Sequence, residues 1–329
     1  MPVLPDCRYK APFWLPGGHA QTMGPRISCF IPKLPFARES LELDDGDQIL
    51  VDWLFASGRR DVPATKLAIL SHGLEGDSTR SYMRAMAIAL FARGWDVASR
   101  NFRGCGGEMN RLPQLYHSGD VYDLSALIRY AVVRGYGEIG LVGFSMGGNQ
   151  VLKYLGECAE DIPVAVTRAG MVSVPCDLTG CSVKLAKPGN RIYMEYFMRT
   201  LRCKMRQKHA EFPALFDISR LDAMKTFKEF DDTFTAPLNG FADAEDYWAK
   251  ASSLPFLGRI ARPTLVINAR NDPFLSETCY PVKEAQENET LFLCMPEQGG
   301  HVGFPTWAGK TVGGWLENTV AAFLDGVAA

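Results

Sequence analysis

The stretch Gly140-Leu141-Val142-Gly143-Phe144-Ser145-Met146-Gly147-Gly148 constrains this chain more than any other. A short apolar run, Ile139 to Val142, leads into Gly-x-Ser-x-Gly, after which Val151, Leu152 and Leu155 recur at helical spacing. The pattern is strand, sharp turn, helix. A serine at such a turn is held in a strained backbone geometry with its hydroxyl pushed out of the sheet. Gly143 and Gly147 fall where the crossing of strand and helix leaves no room for a side chain. Ser145 is therefore the candidate nucleophile.

The rest of the chain alternates in the same manner. Residues 1–37 are rich in proline and aromatic residues, and the reading is an irregular arm wrapped on the core rather than a helix or strand. Leu41 to Leu43 and Ile49 to Phe55, split by Asp44-Asp45-Gly46-Asp47, read as a hairpin. Leu67 to Leu70 reads as a buried strand, followed by a helix capped by Asp77 or Ser78 and stopped by Gly94. Trp95 to Ser99, the strand before Ser145, Val164 to Val174, Thr264 to Ala269 and Leu291 to Cys294 are the further strands. Helices are expected from about Asp120 and over Leu316 to Leu324. This alternation predicts an α/β fold with a mostly parallel sheet covered on both faces, the hairpin forming an antiparallel edge. Residues 176–258 break it. Ile192, Tyr193, Tyr196, Phe197, Leu201 and Met205 recur at helical spacing, as do Leu221, Met224 and Phe227, and Asp243 to Lys250 forms a short helix. They read as an inserted helical cap over the carboxyl edge of the sheet, where ligands bind in open α/β sheets. The expected division is an arm (1–37), a core (38–175 and 259–329) and a cap (176–258).

Composition excludes several function classes. A formal net charge of -2, with no long run of one sign, gives no nucleic-acid surface. The start of the chain has no signal-peptide pattern, and no apolar run is long enough to span a bilayer. The 9 cysteines, an odd number with no Cys-x-x-Cys, are expected to be free thiols in a reducing cytoplasm.

A serine hydroxyl needs a base to take its proton and a carboxylate to orient that base. On a doubly wound sheet these come from loops at the carboxyl ends of strands, in the order serine, acid, histidine. Asp272 follows the strand Leu265-Val266-Ile267 and fits the acid; its bland reading is a turn residue. His301 follows a strand and two glycines and fits the base; its bland reading is an ordinary core or surface histidine. His19, His117 and His209 read as structural, His209 on a solvated face with Arg206 and Lys208. The oxyanion needs backbone donors. These are expected from Met146, directly after the nucleophile, and from Leu74 in the loop Ser71-His72-Gly73-Leu74-Glu75-Gly76. No cluster has metal-ligand spacing and no glycine-rich loop precedes Lys-Ser or Lys-Thr, so neither a metal nor another cofactor is expected.

Taken together, Phe13-Trp14-Leu15-Pro16-Gly17-Gly18-His19-Ala20-Gln21-Thr22, His72-Gly73-Leu74-Glu75-Gly76, Arg100-Asn101-Phe102-Arg103-Gly104-Cys105, Tyr116-His117-Ser118-Gly119, Gly143-Phe144-Ser145-Met146-Gly147-Gly148, Thr235-Ala236-Pro237-Leu238-Asn239-Gly240-Phe241, Asn271-Asp272-Pro273-Phe274 and Gly300-His301-Val302-Gly303-Phe304 resemble the α/β-hydrolase superfamily, and within it the YheT-like branch. The combination is specific to the branch, whereas Gly-x-Ser-x-Gly alone marks only the superfamily. The resemblance implies a triad of Ser145, Asp272 and His301 and carboxylesterase activity on short- or medium-chain acyl esters. It also implies acyl transfer to alcohols as an alternative, as in fungal ester synthase relatives. Some animal members carry an N-terminal membrane anchor, which is not expected here. Asn239 stands where the branch pattern has histidine. The expected partner is thus a small-molecule acyl ester, with no nucleic acid and no transmembrane segment. The opposing class, a non-catalytic binding protein on the same fold, is disfavoured by the filled triad positions. A His72-x4-Asp77 acyltransferase spacing is a weak match, because His72 closes a buried strand.

Overall fold

A computed structural model describes residues 3–4, 8–28, 31–61, 64–306 and 314–327. The predicted hairpin forms from β2 (Ala37–Glu42) and β3 (Gln48–Leu54), paired antiparallel, with Gly46 at φ 86° in the turn. β3 also runs antiparallel to β5 (Asp96–Asn101). β4 (Lys66–Ser71), β6 (Glu138–Phe144), β7 (Val166–Val172), β8 (Thr264–Ile267) and β9 (Leu291–Cys294) continue the sheet in parallel, and the short β1 (Val3–Leu4) closes its far edge. The strand order is β1-β9-β8-β7-β6-β4-β5-β3-β2. β4 lies between β5 and β6, so the chain leaves β4 to one side and returns to the other. Loops after β4 and β6 therefore diverge and open a crevice at the carboxyl edge.

Period-2 alternation sends neighbouring strand residues to opposite faces. Ile69, Leu141, Met171 and Val266 pack beneath α3 (Tyr122–Val133), α4 (Met146–Glu157) and α10 (Val282–Glu287). Leu70, Val142, Val172 and Ile267 pack beneath α2 (Ser81–Phe91) and α11 (Trp315–Leu324). Fully burying a Leu, Val or Ile side chain contributes about 1.5–3 kcal/mol, so the two faces supply most of the drive to fold.

Between β7 and β8 the described residues form helices and no strand: α5 (Leu178–Leu185), α6 (Arg191–Glu211), α7 (Phe227–Phe230), a π turn (Asp231–Thr235), α8 (Ala236–Leu238) and α9 (Ala244–Ala251). Tyr193, Phe197, Leu201 and Met205 on α6 pack with Phe230 and Phe234 in a core of their own.

Several expectations fail locally. The N-terminal segment is not irregular: Gly17–Ser28 is a helix, α1, with Pro25 inside it. Its glycines serve close approach rather than disorder, since a Cβ on Gly18 would lie 1.8 Å from the Asn271 carbonyl oxygen. Asp77 and Ser78 do not cap α2. Asp77 bonds the Thr79 N–H, and the Ser78 hydroxyl is taken by Asp52. Ile192 and Val164 are exposed, and Lys208 is fully buried rather than solvated. Of the described cysteines, six are free thiols, but Cys294 is disulfide-bonded. An odd count and the lack of Cys-x-x-Cys do not exclude a disulfide.

Candidate active site

β6 and α4 meet at a turn too tight for side chains. A Cβ on Gly143 would lie 2.5 Å from Gly148 Cα, and one on Gly147 would lie 2.4 Å from the His72 carbonyl oxygen. Between them Ser145 adopts φ 52° and ψ -123°, a conformation that costs an L-residue on the order of 1–3 kcal/mol and persists only where packing imposes it. The Ser145 N–H is tied to the Val172 carbonyl, and the Ser145 carbonyl accepts the N–H groups of Gly148 and Asn149.

Asp272 leaves the loop after β8 and is buried; its Oδ1 accepts the Phe274 N–H at 2.8 Å. His301 leaves the loop after β9. Its Nδ1 lies 2.8 Å from Asp272 Oδ2 and its Nε2 lies 2.9 Å from Ser145 Oγ. With the carboxylate on Nδ1, that nitrogen carries the proton and donates, leaving Nε2 as the acceptor for the serine hydroxyl. The Phe274 ring covers the imidazole at 4.2 Å between centroids. The three side chains singled out in the sequence thus form one continuous hydrogen-bonded chain.

The loops carrying Asp272 and His301 are fastened by α1, which lies in the segment that reads as an irregular arm. Gln21 Oε1 accepts from Asn271 Nδ2 (2.9 Å) and from the Gly299 N–H (2.8 Å), while Thr22 Oγ1 accepts the His301 N–H (2.9 Å) and donates to the Gly18 carbonyl. On the other side the Val302 N–H donates to Ser173 Oγ. The usable sequence signal was the adjacent polar pair Gln21-Thr22 within an otherwise aromatic and glycine-rich segment.

The loop after β4 presses on the serine: a Cβ on Gly73 would lie 3.1 Å from Ser145 Cβ. Within it the N–H groups are nearly all committed. Gly73 donates to Tyr82 Oη, Glu75 to Tyr116 Oη and Gly76 to the Gly73 carbonyl. No described acceptor takes the Leu74 N–H. Met146 opens α4, so its N–H is among those a helix leaves without an intrahelical partner.

The remaining histidines have other work. Burial holds the His72 imidazole down at about 3, and both ring nitrogens are spent on backbone: Nδ1 donates to the Gly73 carbonyl and Nε2 accepts the Phe102 N–H. That removes the His72-x4-Asp77 acyltransferase reading. Burial likewise holds His117 at about 4, and its Nδ1 accepts the Gly119 N–H. His19 pairs with the Tyr193 hydroxyl, and His209 with the Phe216 carbonyl. Among the described residues, no group of His, Cys, Asp and Glu is arranged to hold a metal ion, and no helix is long and apolar enough to cross a membrane.

Two cavities meet at Ser145 and His301. The larger, about 1040 Å³ including its open mouth, runs under α6, α7 and α9 and is lined by Phe197, Leu201, Met205, Phe234, Trp248 and neighbours. Tyr193 and Tyr196 of α6 are not among its lining residues. The smaller, about 680 Å³, lies on the α1 and α2 side and is lined by Thr22, Gly73, Ser81, Tyr82, Gly303 and Glu317. Leu74, Phe197 and Phe274 form walls of both.

Residues 68–179 match the α/β hydrolase fold family. The protein named "Putative esterase YheT" from Escherichia coli (strain K12) is 34% identical over 316 residues, covering 93% of this chain and 89% of its own. The human protein named "Phospholipase ABHD3" is 28% identical over 308 residues, covering 92% of this chain and 75% of its own. Among solved structures, the Pyrococcus furiosus esterase Pf2001 superposes with a TM-score of 0.57 at 17% identity, over 92% of this chain and 99% of that one. With a nucleophile elbow on a mostly parallel sheet and this extent of likeness to YheT, the chain is a hydrolase that belongs to the α/β-hydrolase family, in its YheT-like branch.

Proposed function

We propose that this protein is a serine carboxylesterase that cleaves short- or medium-chain acyl esters through an acyl-enzyme. The single observation that carries the reading is the relay from buried Asp272 through His301 to Ser145 Oγ, opening into an apolar cavity. Ser145 Oγ attacks the ester carbonyl as His301 Nε2 takes its proton, and Asp272 stabilises the imidazolium and fixes its tautomer. The N–H groups of Leu74 and Met146 receive the oxyanion. His301 then protonates the departing alcohol, and water, deprotonated by the same nitrogen, releases the acid. The helical segment acts as the cap that excludes solvent over the acyl chain, in the division 1–37, 38–175 with 259–329, and 176–258.

The aliphatic and aromatic walls of the larger cavity, with few polar groups beside Ser145 and His301, are those of a small-molecule site and suit an acyl chain. The names of the YheT and ABHD3 relatives agree with ester substrates. A chain-length series of p-nitrophenyl esters on the purified protein tests the reading: turnover should peak beyond acetate and vanish in Ser145→Ala, and full turnover in that variant would refute it. A cytoplasmic setting is supported by the six free cysteines among the described residues and opposed by the Cys294 disulfide, a bond that reducing compartments disfavour.

The second cavity favours one further reading, acyl transfer. A site beside Ser145 with room for the leaving alcohol also has room for an acceptor alcohol. Added ethanol should then divert part of the acyl-enzyme to ethyl ester; release of free acid alone would leave hydrolysis as the whole reaction.

A further inference from the structure

Lys204 stands on α6, far in sequence from the catalytic loops, yet its ammonium lies in the core beside the loop after β4. Its Nζ donates to Glu75 Oε1 at 2.8 Å and to Cys105 Sγ at 2.9 Å, and sits 4.9 Å from the centre of the Tyr116 ring. Burial alone would pull the ammonium down. The neighbouring Cys105 and Glu75 outweigh burial and hold it above the ordinary lysine range, so it is charged at neutral pH.

Glu75 is the residue after Leu74, and its backbone is unusual. It has φ 54°, in the left-handed region that strains an L-residue. Its N–H donates to Tyr116 Oη at 3.1 Å, and the same hydroxyl donates back to Glu75 Oε1 at 2.5 Å. Its carbonyl accepts from Arg80. The carboxylate therefore orients the tyrosine that holds the Leu74–Glu75 peptide, and the lysine neutralises that buried carboxylate. Tyr116 and Cys105 also pack against the side chains of Met146, Phe102 and Leu74 in one small cluster. Both backbone donors thus belong to residues that touch this group.

We propose that Lys204 is a positioning residue that locks the oxyanion donors through Glu75 and Tyr116, so that the donors are set only when α6 is seated over the site. The inference rests on the reading of Leu74 and Met146 as oxyanion donors. Without the ammonium, the Glu75 carboxylate is left buried and unpaired, the Tyr116 hydroxyl loses its fixed direction, and the strained peptide is free to turn.

The test compares Lys204→Met with Lys208→Met. Lys208 lies one turn on along α6 and ties the same helix to the core through the Asn110 and Leu112 carbonyls, rather than through Glu75 or Cys105. Lys204→Met should lower kcat for a p-nitrophenyl ester by about 10- to 100-fold, with KM changed by less than about threefold. It should weaken inhibition by an alkyl trifluoromethyl ketone, which adds to Ser145 as an oxyanion, by the same factor as kcat/KM falls. The double variant Lys204→Met/Glu75→Gln should recover most of the loss, because no unpaired charge remains. Lys208→Met should lower thermal stability without this selective loss of ketone affinity. If Lys204→Met does not fold, Tyr116→Phe carries the same expectation. The inference is overturned if the variant that folds keeps wild-type kcat and ketone affinity, or if its loss matches that of Lys208→Met. The esterase reading fails separately, through an inactive wild type or an active Ser145→Ala.

Discussion

Gln21 and Asn271, 250 residues apart, are joined side chain to side chain at 2.9 Å, and the same Gln21 oxygen accepts the Gly299 N–H. One buried amide thus ties together the residue before Asp272 and the loop that presents His301. Asn271 Oδ1 in turn accepts the Gly300 N–H, so the acid loop and the histidine loop are crosslinked twice. Removing the amide leaves buried donors unmet, at about 1–3 kcal/mol each.

Gln21→Ala should therefore lower the melting temperature by several degrees and reduce kcat by about tenfold. KM should move little, because Gln21 lines neither cavity. Steady-state kinetics and thermal unfolding on the same sample check both parts. Wild-type kcat in a folded Gln21→Ala protein would show that the histidine loop holds itself.

Ser145 carries the strained backbone of the elbow, so substitutions there separate chemistry from stability. Ser145→Ala and Ser145→Gly should each cost at least about 10³-fold in ester turnover. Glycine accepts φ 52° without a Cβ penalty, whereas alanine keeps the strain. Ser145→Gly should then melt above Ser145→Ala, by roughly 1.5 °C for each kcal/mol of strain released in a chain of this length. Equal melting temperatures would mean that the turn is held without measurable strain.

What could be read from the sequence follows from how local the cause is. The strand–elbow–helix around Ser145, the hairpin at Gly46 and the left-handed Gly94 are short-range signals, and all three form. The order of Ser145, Asp272 and His301 was legible because the fold fixes which strand ends face the same crevice. The helix Gly17–Ser28 was not. Glycines and an internal proline argue against a helix locally, and tertiary packing against Asn271, Gly300 and Gly303 overrides them. Lys208 reads as part of a polar face because periodicity counts polarity, and it cannot see the carbonyl groups waiting beneath α6.

Phe197, Leu201 and Met205 form one row along α6, and Phe197 borders both cavities while the other two border only the larger. At 1.5 Å per residue the row runs about 12 Å away from the serine end. A larger side chain at Met205 should shorten the space for an acyl chain. For Met205→Trp, the ratio of kcat/KM for a long-chain p-nitrophenyl ester to that for acetate should fall by about tenfold or more. An unchanged ratio would mean that the chain lies elsewhere, in the α1 and α2 cavity.

Glu317 sits on the first turn of α11, almost wholly buried at the wall of the smaller cavity. Burial raises its carboxyl to about 7, opposed only by backbone N–H groups of Gly314 and its own residue. A raised folded value means that the protonated form is favoured by folding. The stability this brings is complete below the unfolded glutamate range, near pH 4.3, and is lost as pH rises through about 7. Glu317→Gln, which stays neutral, should thus match the wild type at pH 4, gain on it steadily between about pH 4.5 and 7, and hold a constant advantage above that. Denaturant unfolding at pH 4.5, 6 and 8 measures the difference. A gap that is flat across the three values would show that the carboxyl titrates alike in both states, and a gap of opposite sign would place a cation against it.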